Sequence, residues 1–321
     1  MDVKFYEVFE HEEKAIRKYL PPEISAAFTW ESIQESADKK PLAKVLCIRT
    51  QSKIPTEWSD KIEGILTRSQ GYDHLEEYLR AVKIPIACAY LPEYCARAVA
   101  EHAIMAMFVL LKKTKQQIKN FDTFNRENIT GQQCENRNLL VVGVGNIGRE
   151  IVRLGHGLQM HVRGVDLEPR IEKLEYVSLE QGIIWADVVV CALPLTEKTK
   201  DLLNYEKLKG LKKGSVFINI SRGEISPIKD IKRLLDEGFL AGVSLDVYPN
   251  EKDLARNLRA GTSNFEEDHK VIMELKDNNT VLFTPHNAFN TEESVEKKAE
   301  LTAREIVSFV NSGKFINTIT I

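Results

Sequence analysis

The sequence predicts an α/β protein made of two doubly wound, parallel-sheet domains. Three observations carry this expectation. Short apolar runs alternate with helical stretches along most of the 321 residues, the pattern of strands laid parallel with crossover helices. A glycine-rich turn, Gly143-Val-Gly145-Asn146-Ile147-Gly148, lies between an apolar run and a helical segment. A polar stretch at residues 120–138 separates a first α/β unit from a more regular second one, and the length suits two domains.

In the first unit, residues 45–48, 65–67 and 84–89 are strand-like, with polar helical stretches between them, and Pro21-Pro22 and Pro41 mark loops. Residues 97–111 form a long apolar-rich helix, and Lys112, Lys113 and Lys115 suit the negative end of its dipole. From residue 138 the rhythm becomes regular. Strands are expected at 139–142, 161–165, 188–192, 215–220, 241–246 and 280–284. Such a sheet binds ligands at the carboxyl ends of its strands. Residues 251–279 interrupt the rhythm as a loop-helix excursion, and the chain from Thr291 reads as one charged amphipathic helix with a short tail.

The glycine turn has a specific chemistry. Gly143 permits the tight turn, Gly145 lets backbone approach a pyrophosphate, and Gly148 lets the helix pack close to the strand. The free N–H groups and dipole of that helix then favour a doubly negative ligand. Asp166 stands 23 residues beyond Gly143, at the end of the next strand. Its carboxylate can accept hydrogen bonds from ribose hydroxyls and would repel a phosphate, so the expected cofactor is NAD rather than NADP.

Composition narrows the remaining choices. The net charge is −3 with both signs spread along the chain, and without a basic block nucleic acid is not an expected partner. Five cysteines, at 47, 88, 95, 134 and 191, form no CxxC pair. That spacing fits a reducing cytoplasm and no zinc site. The N-terminus lacks the charged-then-apolar order of a signal peptide, and no apolar stretch is long enough to span a membrane.

Three side chains could do chemistry beside such a cofactor. Arg222 follows the strand at 215–220, Glu251 lies five residues past Asp246, and His286 follows the strand at 280–284. Hydride transfer to a 2-oxo acid puts negative charge on the carbonyl oxygen, so a proton donor must stand beside it. Histidine can give and take that proton near neutral pH. A carboxylate such as Glu251 beside the ring would favour its protonated form and fix its orientation. The planar, bidentate α-carboxylate of the substrate suits the guanidinium of Arg222.

These segments resemble the D-2-hydroxyacid dehydrogenase family, most closely its D-lactate dehydrogenase-like branch. The resemblance rests on Thr67-Arg-Ser-Gln-Gly71-Tyr-Asp73-His, Val99-Ala-Glu-His102, the glycine turn and Leu193-Pro-Leu-Thr-Glu-Lys-Thr199. It continues in Ile218-Asn-Ile-Ser-Arg222-Gly, Leu245-Asp-Val-Tyr and Thr284-Pro-His286-Asn-Ala-Phe289, and weakens over the first forty residues. It implies a Rossmann-type NAD domain at 101–290 and a flavodoxin-like substrate domain made of 1–100 with 291–321, with a cleft between them. It assigns substrate binding to Arg222, support to Glu251 and proton donation to His286. Asn146 and Ile147 would touch the pyrophosphate and Asp166 the adenosine ribose. Leu193, Pro194, Thr199, Ile220, Ser221, Arg222 and Asp246 would line the rest of the NAD site. Ser69, Gln70 and Gly71 would hold the substrate carboxylate by backbone N–H groups, with Tyr94 and Phe289 beside them. A homodimer built on the cofactor domain is also implied.

Two departures stand out. Tyr94-Cys95-Ala96 replaces the Tyr-Ser-Pro of the lactate-type pattern, and Gln159 replaces the glycine usual before the methionine that leads into the second strand. The end of the glycine-turn helix is therefore expected to be rearranged. The resulting expectation is an NAD-dependent enzyme that reversibly reduces a small 2-oxo acid, first of all pyruvate, to the (R)-2-hydroxy acid. Glyoxylate, hydroxypyruvate, 2-oxoisocaproate or phenylpyruvate could serve the same residues, and a corepressor-like NAD-sensing protein of the same fold is a rival of a different class.

Overall fold

The computed structural model describes residues 1–82 and 84–319. The chain divides into two units, Met1–Tyr94 together with the chain from Asn290 onward, and Cys95–Phe289. The first boundary falls just before a helix that sequence reasoning had split at residue 100. That helix packs against the helix of the glycine turn, which places it in the second unit.

In chain order the first unit contains β1 (Val3–Phe5), α1 (Glu10–Tyr19), β2 (Ala26–Phe28), β3 (Val45–Ile48), β4 (Gly64–Thr67), α2 (Asp73–Ala81) and β5 (Ala87–Ala89). The second contains α3 (Ala96–Leu111), α4 (Thr114–Asn120), β6 (Asn138–Val142), α5 (Asn146–Gly157), β7 (His161–Val165), β8 (Glu175–Tyr176), α6 (Leu179–Trp185) and β9 (Val188–Cys191). It continues with α7 (Tyr205–Leu208), β10 (Ser215–Asn219), α8 (Ile228–Asp236), β11 (Leu240–Leu245), α9 (Glu251–Arg259), α10 (Glu267–Leu275) and β12 (Val281–Phe283). The last helix, α11 (Glu292–Ser312), belongs to the first unit and packs on α1.

Both sheets are parallel throughout their named strands. The first has the order β2-β1-β3-β4-β5, the flavodoxin-like arrangement. The second runs β12-β11-β10-β9-β6-β7-β8. Counted from β6, this is the dinucleotide-binding order with one strand added at its far edge. Helices cover both faces of a doubly wound sheet, so its central strands carry no polar alternation. Leu139 to Val142 of β6 and Val188 to Cys191 of β9 are accordingly all fully buried, each side chain of this size stabilising the fold by about 1.5–3 kcal/mol.

The sequence did not show β1, β2 or β8. They are two or three residues long, too short for a periodicity. The run expected at 84–89 narrows to Ala87–Ala89, because Pro85 has no N–H to give the ladder. The end of α5 is not remodelled in outline. Gln159 takes a left-handed φ of 58°, the conformation glycine adopts freely, and Met160 N–H closes the turn on Gly155 O at 3.0 Å.

Candidate active site

Three adjacent strands of the second unit deliver the three expected side chains. Arg222 lies just past β10, Glu251 opens α9 past β11, and His286 follows β12. Their loops are stitched together from below. Gly223 packs so closely that an added Cβ would sit 2.0 Å from the Tyr248 carbonyl carbon, so only glycine lets the Arg222 loop lie on the segment leading to Glu251. The Tyr248 hydroxyl, in turn, reaches Thr284 O at 2.8 Å and ties that segment to the His286 loop. Burial and the nearby carboxylates of Asp246 and Glu251 push the Tyr248 hydroxyl pKa well above the usual phenol range, so it stays a donor.

Asp246 organises the His286 turn. It is 1% exposed. Its Oδ1 accepts from the Thr284 hydroxyl at 2.6 Å and Asn287 N–H at 2.8 Å, and its Oδ2 accepts from Ala288 N–H at 2.9 Å. His102 of α3 completes the group, with Nε2 3.2 Å from Thr284 Oγ1. Sequence reasoning placed Asp246 along the cofactor and met His102 only inside a matching motif. Their shared role as a support was not legible, because it depends on contacts 182 and 41 residues apart.

His286 itself has φ 50°, a costly conformation for a side chain of this kind. Asp246 fixes the amides that follow it, which holds the residue there. The imidazole Nδ1 meets Glu251 Oε1 at 2.8 Å and Oε2 at 3.0 Å. With Nδ1 donating to that carboxylate, Nε2 is the nitrogen that can carry a transferable proton. The Phe289 ring stands edge-on to the imidazole, 6.5 Å between centroids. Arg222 Nη1 donates to Ser221 O at 2.9 Å, and Asn219 holds the turn by donating to Arg222 O and accepting from Ser221 N–H, both at 2.9 Å.

The glycine turn fits a dinucleotide. Gly143 has φ 93°, and a Cβ on Gly148 would fall 2.0 Å from Gly143 O. A Cβ on Gly145 would meet nothing within 4 Å, which leaves the backbone open to a phosphate at the start of α5, where Asn146 and Ile147 begin the helix. Asp166 accepts from Val144 N–H at 2.6 Å and Glu168 N–H at 3.0 Å, so its carboxylate is locked at the carboxyl ends of β6 and β7. The loop after β9 is fixed by Thr199, whose hydroxyl donates to Pro194 O at 2.6 Å, and by Ser221, whose hydroxyl meets Leu193 O. Ile220 is 7% exposed beside them.

The remaining expected residues lie in the first unit. Ser69, Gln70 and Gly71 follow β4. Ser69 Oγ donates to Gly71 O at 2.7 Å and lies 2.7 Å from Thr67 Oγ1, which itself meets His74 Nε2 at 3.1 Å. Gln70 Oε1 is buried without a hydrogen-bond partner. Tyr94 follows β5 and is 9% exposed.

Comparison with known proteins shows the family and the fold. Residues 102–288 match the NAD binding domain of the D-isomer specific 2-hydroxyacid dehydrogenases. A 2-hydroxyacid dehydrogenase A of Aspergillus oryzae is 30% identical, over 92% of this chain and 87% of that one. A D-lactate dehydrogenase of Staphylococcus epidermidis is 28% identical over 78% of this chain and 77% of that one. A glyoxylate reductase of Pyrococcus furiosus is also 28% identical, over 87% and 84%. In fold, the chain superposes on a D-lactate dehydrogenase of Aquifex aeolicus, solved with NAD and lactic acid, with a TM-score of 0.84, 24% identity, and 98% and 99% of the two chains covered. With a dinucleotide turn, a carboxylate-held histidine and this kinship over nearly its whole length, the chain belongs to the D-isomer specific 2-hydroxyacid dehydrogenases, NAD-dependent oxidoreductases.

Proposed function

We propose that His286, Glu251 and Arg222 reduce a small 2-oxo acid to its (R)-2-hydroxy acid, reversibly. The paired contact between Glu251 and His286 Nδ1 carries this reading. The glycine turn and Asp166 would hold NADH, which would supply the hydride when bound. His286 gives its Nε2 proton to the carbonyl oxygen as charge builds there, and Glu251 stabilises the ring while it is charged. Arg222 grips the α-carboxylate by two parallel N–H donations and polarises the carbonyl. The first unit's candidate substrate-binding residues are Ser69, Gln70 and Gly71, through their backbone N–H groups, with Tyr94, and the second unit adds Phe289 next to His286.

Pyruvate, reduced to D-lactate, is the reference reaction, supported by the D-lactate dehydrogenases among the relatives. The glyoxylate reductase at equal identity favours glyoxylate as a second substrate. All these residues need only the head of the substrate, its carboxylate and carbonyl. The test is NADH oxidation against a panel of 2-oxo acids, with His286→Ala beside the wild type. Turnover of at least one acid and a roughly 10²–10⁴-fold lower kcat in the variant are expected. A variant that keeps wild-type kcat sinks the assignment.

The working form we propose is a homodimer in a reducing cytoplasm. Ile118 (69% exposed), Phe121 (73%) and Phe124 (78%) form an apolar patch on and just after α4, of the kind a partner surface covers. All five cysteines are free thiols. Sedimentation of Phe121→Glu against the wild type checks the dimer.

A further inference from the structure

Residues 251–279 lie between β11 and β12 and form two helices, α9 and α10, where a doubly wound sheet needs only one crossover helix. The second of them, α10, packs on α8 and buries Ile272 and Leu275. One turn before Ile272, on the same face, stands His269, which is 0% exposed. Its Nε2 lies 3.1 Å from Pro249 O and 3.1 Å from Glu266 Oε1. Pro249 O can only accept, so Nε2 carries the hydrogen. Nδ1 has no hydrogen-bond partner among the described residues. The Phe265 ring stands edge-on to the imidazole, 6.4 Å between centroids.

An imidazole held in this way is a poor choice for packing alone. A buried polar atom without a partner is a standing cost, which leucine or phenylalanine in the same space would not carry. What histidine supplies and they do not is the Nε2 N–H, and that N–H goes to the segment leading into Glu251.

This segment is short and strained. Pro249 and Asn250 are the two residues before Glu251, which is the first residue of α9. Asn250 has φ 47°, a left-handed conformation that persists where the surroundings impose it. Two residues of the α10 segment do so. Glu266, at the N-cap of α10, accepts from Asn250 Nδ2 at 3.1 and 3.2 Å, and His269 holds Pro249 O. Glu224 Oε1 adds a longer contact to Asn250 N–H at 3.3 Å. Asn250 O then accepts from Asp253 and Leu254 N–H at 3.1 and 3.3 Å, so the start of α9 inherits this geometry. A rotation at residue 249 or 250 would carry the Glu251 carboxylate away from the imidazole it meets at 2.8 and 3.0 Å.

We propose that His269 is a positioning residue for the reaction: its N–H to Pro249 O sets the backbone from which Glu251 reaches His286. This rests on the reading of Glu251 and His286 as the acid–base pair. The helical excursion between β11 and β12 thereby has a task, with α10 as the buttress of that carboxylate. The bond acts along residues 249–251, so its loss misplaces Glu251 and leaves the glycine turn and Arg222 as they are.

The test is a cycle of kcat values on the full chain, taken with saturating NADH and the fastest 2-oxo acid of the panel, each scaled to the fraction of protein that binds NADH. His269→Leu removes the N–H and should lower kcat roughly 3- to 10-fold, since a displaced carboxylate loses less than an altered one. The NADH Kd and the KM for the acid should not move. In a Glu251→Gln background the same substitution should lower kcat no further, because a residue that acts through another is not additive with it. A loss that repeats in full on top of Glu251→Gln is what a general loosening of the fold would give, and it overturns the proposal. So does a His269→Leu kcat equal to wild type beside a slow Glu251→Gln. His269→Gln and His269→Asn form a second arm that stands even where the leucine variant does not fold. The glutamine amide reaches the place of Nε2 and should keep most of the kcat, whereas the asparagine amide ends at the place of Nδ1 and should lose it as leucine does. Equal rates for these two variants also overturn the assignment. A Glu251→Gln enzyme with wild-type kcat removes the acid–base reading itself, and the role of His269 with it.

Discussion

Glu251 grips the Nδ1 edge of His286 with both of its carboxylate oxygens, at 2.8 and 3.0 Å. The contact decides the tautomer, since Nδ1 can only donate to a carboxylate. Glu251→Gln keeps the shape and removes the charge that steadies the imidazolium. Its kcat should fall short of the wild type by more than tenfold, but less far than the roughly 10²–10⁴-fold loss of His286→Ala, with KM for the 2-oxo acid little changed. Steady-state kinetics read both numbers, and an unaltered kcat would remove Glu251 from the mechanism.

Asp246 should matter to stability as well as to rate. It is buried and accepts the Thr284 hydroxyl and two backbone N–H groups. Asp246→Asn offers one acceptor oxygen where two were used and turns an amide donor towards a donor. One buried N–H is then left unpaired, at a cost of about 1–3 kcal/mol. Urea unfolding of the variant should show that loss with an unchanged m-value. A stability equal to wild type would mean that the turn does not need the carboxylate.

Much of this was visible in the sequence where the chemistry is local. The glycine turn, Asp166 and the run 139–142 lie within one β–α–β unit, so spacing alone placed them. Arg222, Glu251 and His286 stand out in the sequence as candidates because each follows an apolar strand. What stayed hidden depends on distant pairings. His102 meets Thr284 across 182 residues, and Lys298 meets Glu12 across 286. Lys298 sits in a helix that reads as an ordinary charged face, and no periodicity marks the one lysine that is buried. The edge strands β1, β2 and β8 were lost for a different reason, being too short for their pattern to differ from a loop.

Gln159 offers a clean test of backbone strain. Its φ of 58° lies in the left-handed region, which costs an L-residue roughly 1–2 kcal/mol. Gln159→Gly removes that strain and gives back part of the gain through a more flexible unfolded chain. A net gain of about 0.5–1 kcal/mol in unfolding free energy is expected, with kinetics unaltered. A destabilised variant would show that the glutamine side chain contributes more than its backbone loses.

Lys298 should leave a mark on the pH dependence of folding. Burial, then Arg49 and Arg68, hold its pKa at about 7, well below the ordinary lysine value of 10.5. Burial works against the Glu12 carboxylate too, but Arg68, Lys298 and Arg49 outweigh it and hold that group below the usual carboxylate range. Glu12 is therefore ionised throughout the neutral window and adds no slope there. Above pH about 7 the folded chain has released the Lys298 proton while the unfolded chain keeps it. Folding then releases a proton, and stability rises with pH by up to about 1.4 kcal/mol per unit. Below pH about 7 both states hold the proton and this contribution is flat. Cysteines confine the useful range, because burial pushes the Cys47 thiol up to about 12, and thiols of this kind lower stability once the pH passes their unfolded pKa of about 8.5. Between pH about 7 and 8.5, wild type should therefore gain about 1–2 kcal/mol relative to Lys298→Met, which retains the same cysteines. Parallel denaturant titrations of the two proteins across that range measure the difference, and two parallel curves would show that Lys298 stays charged in the fold.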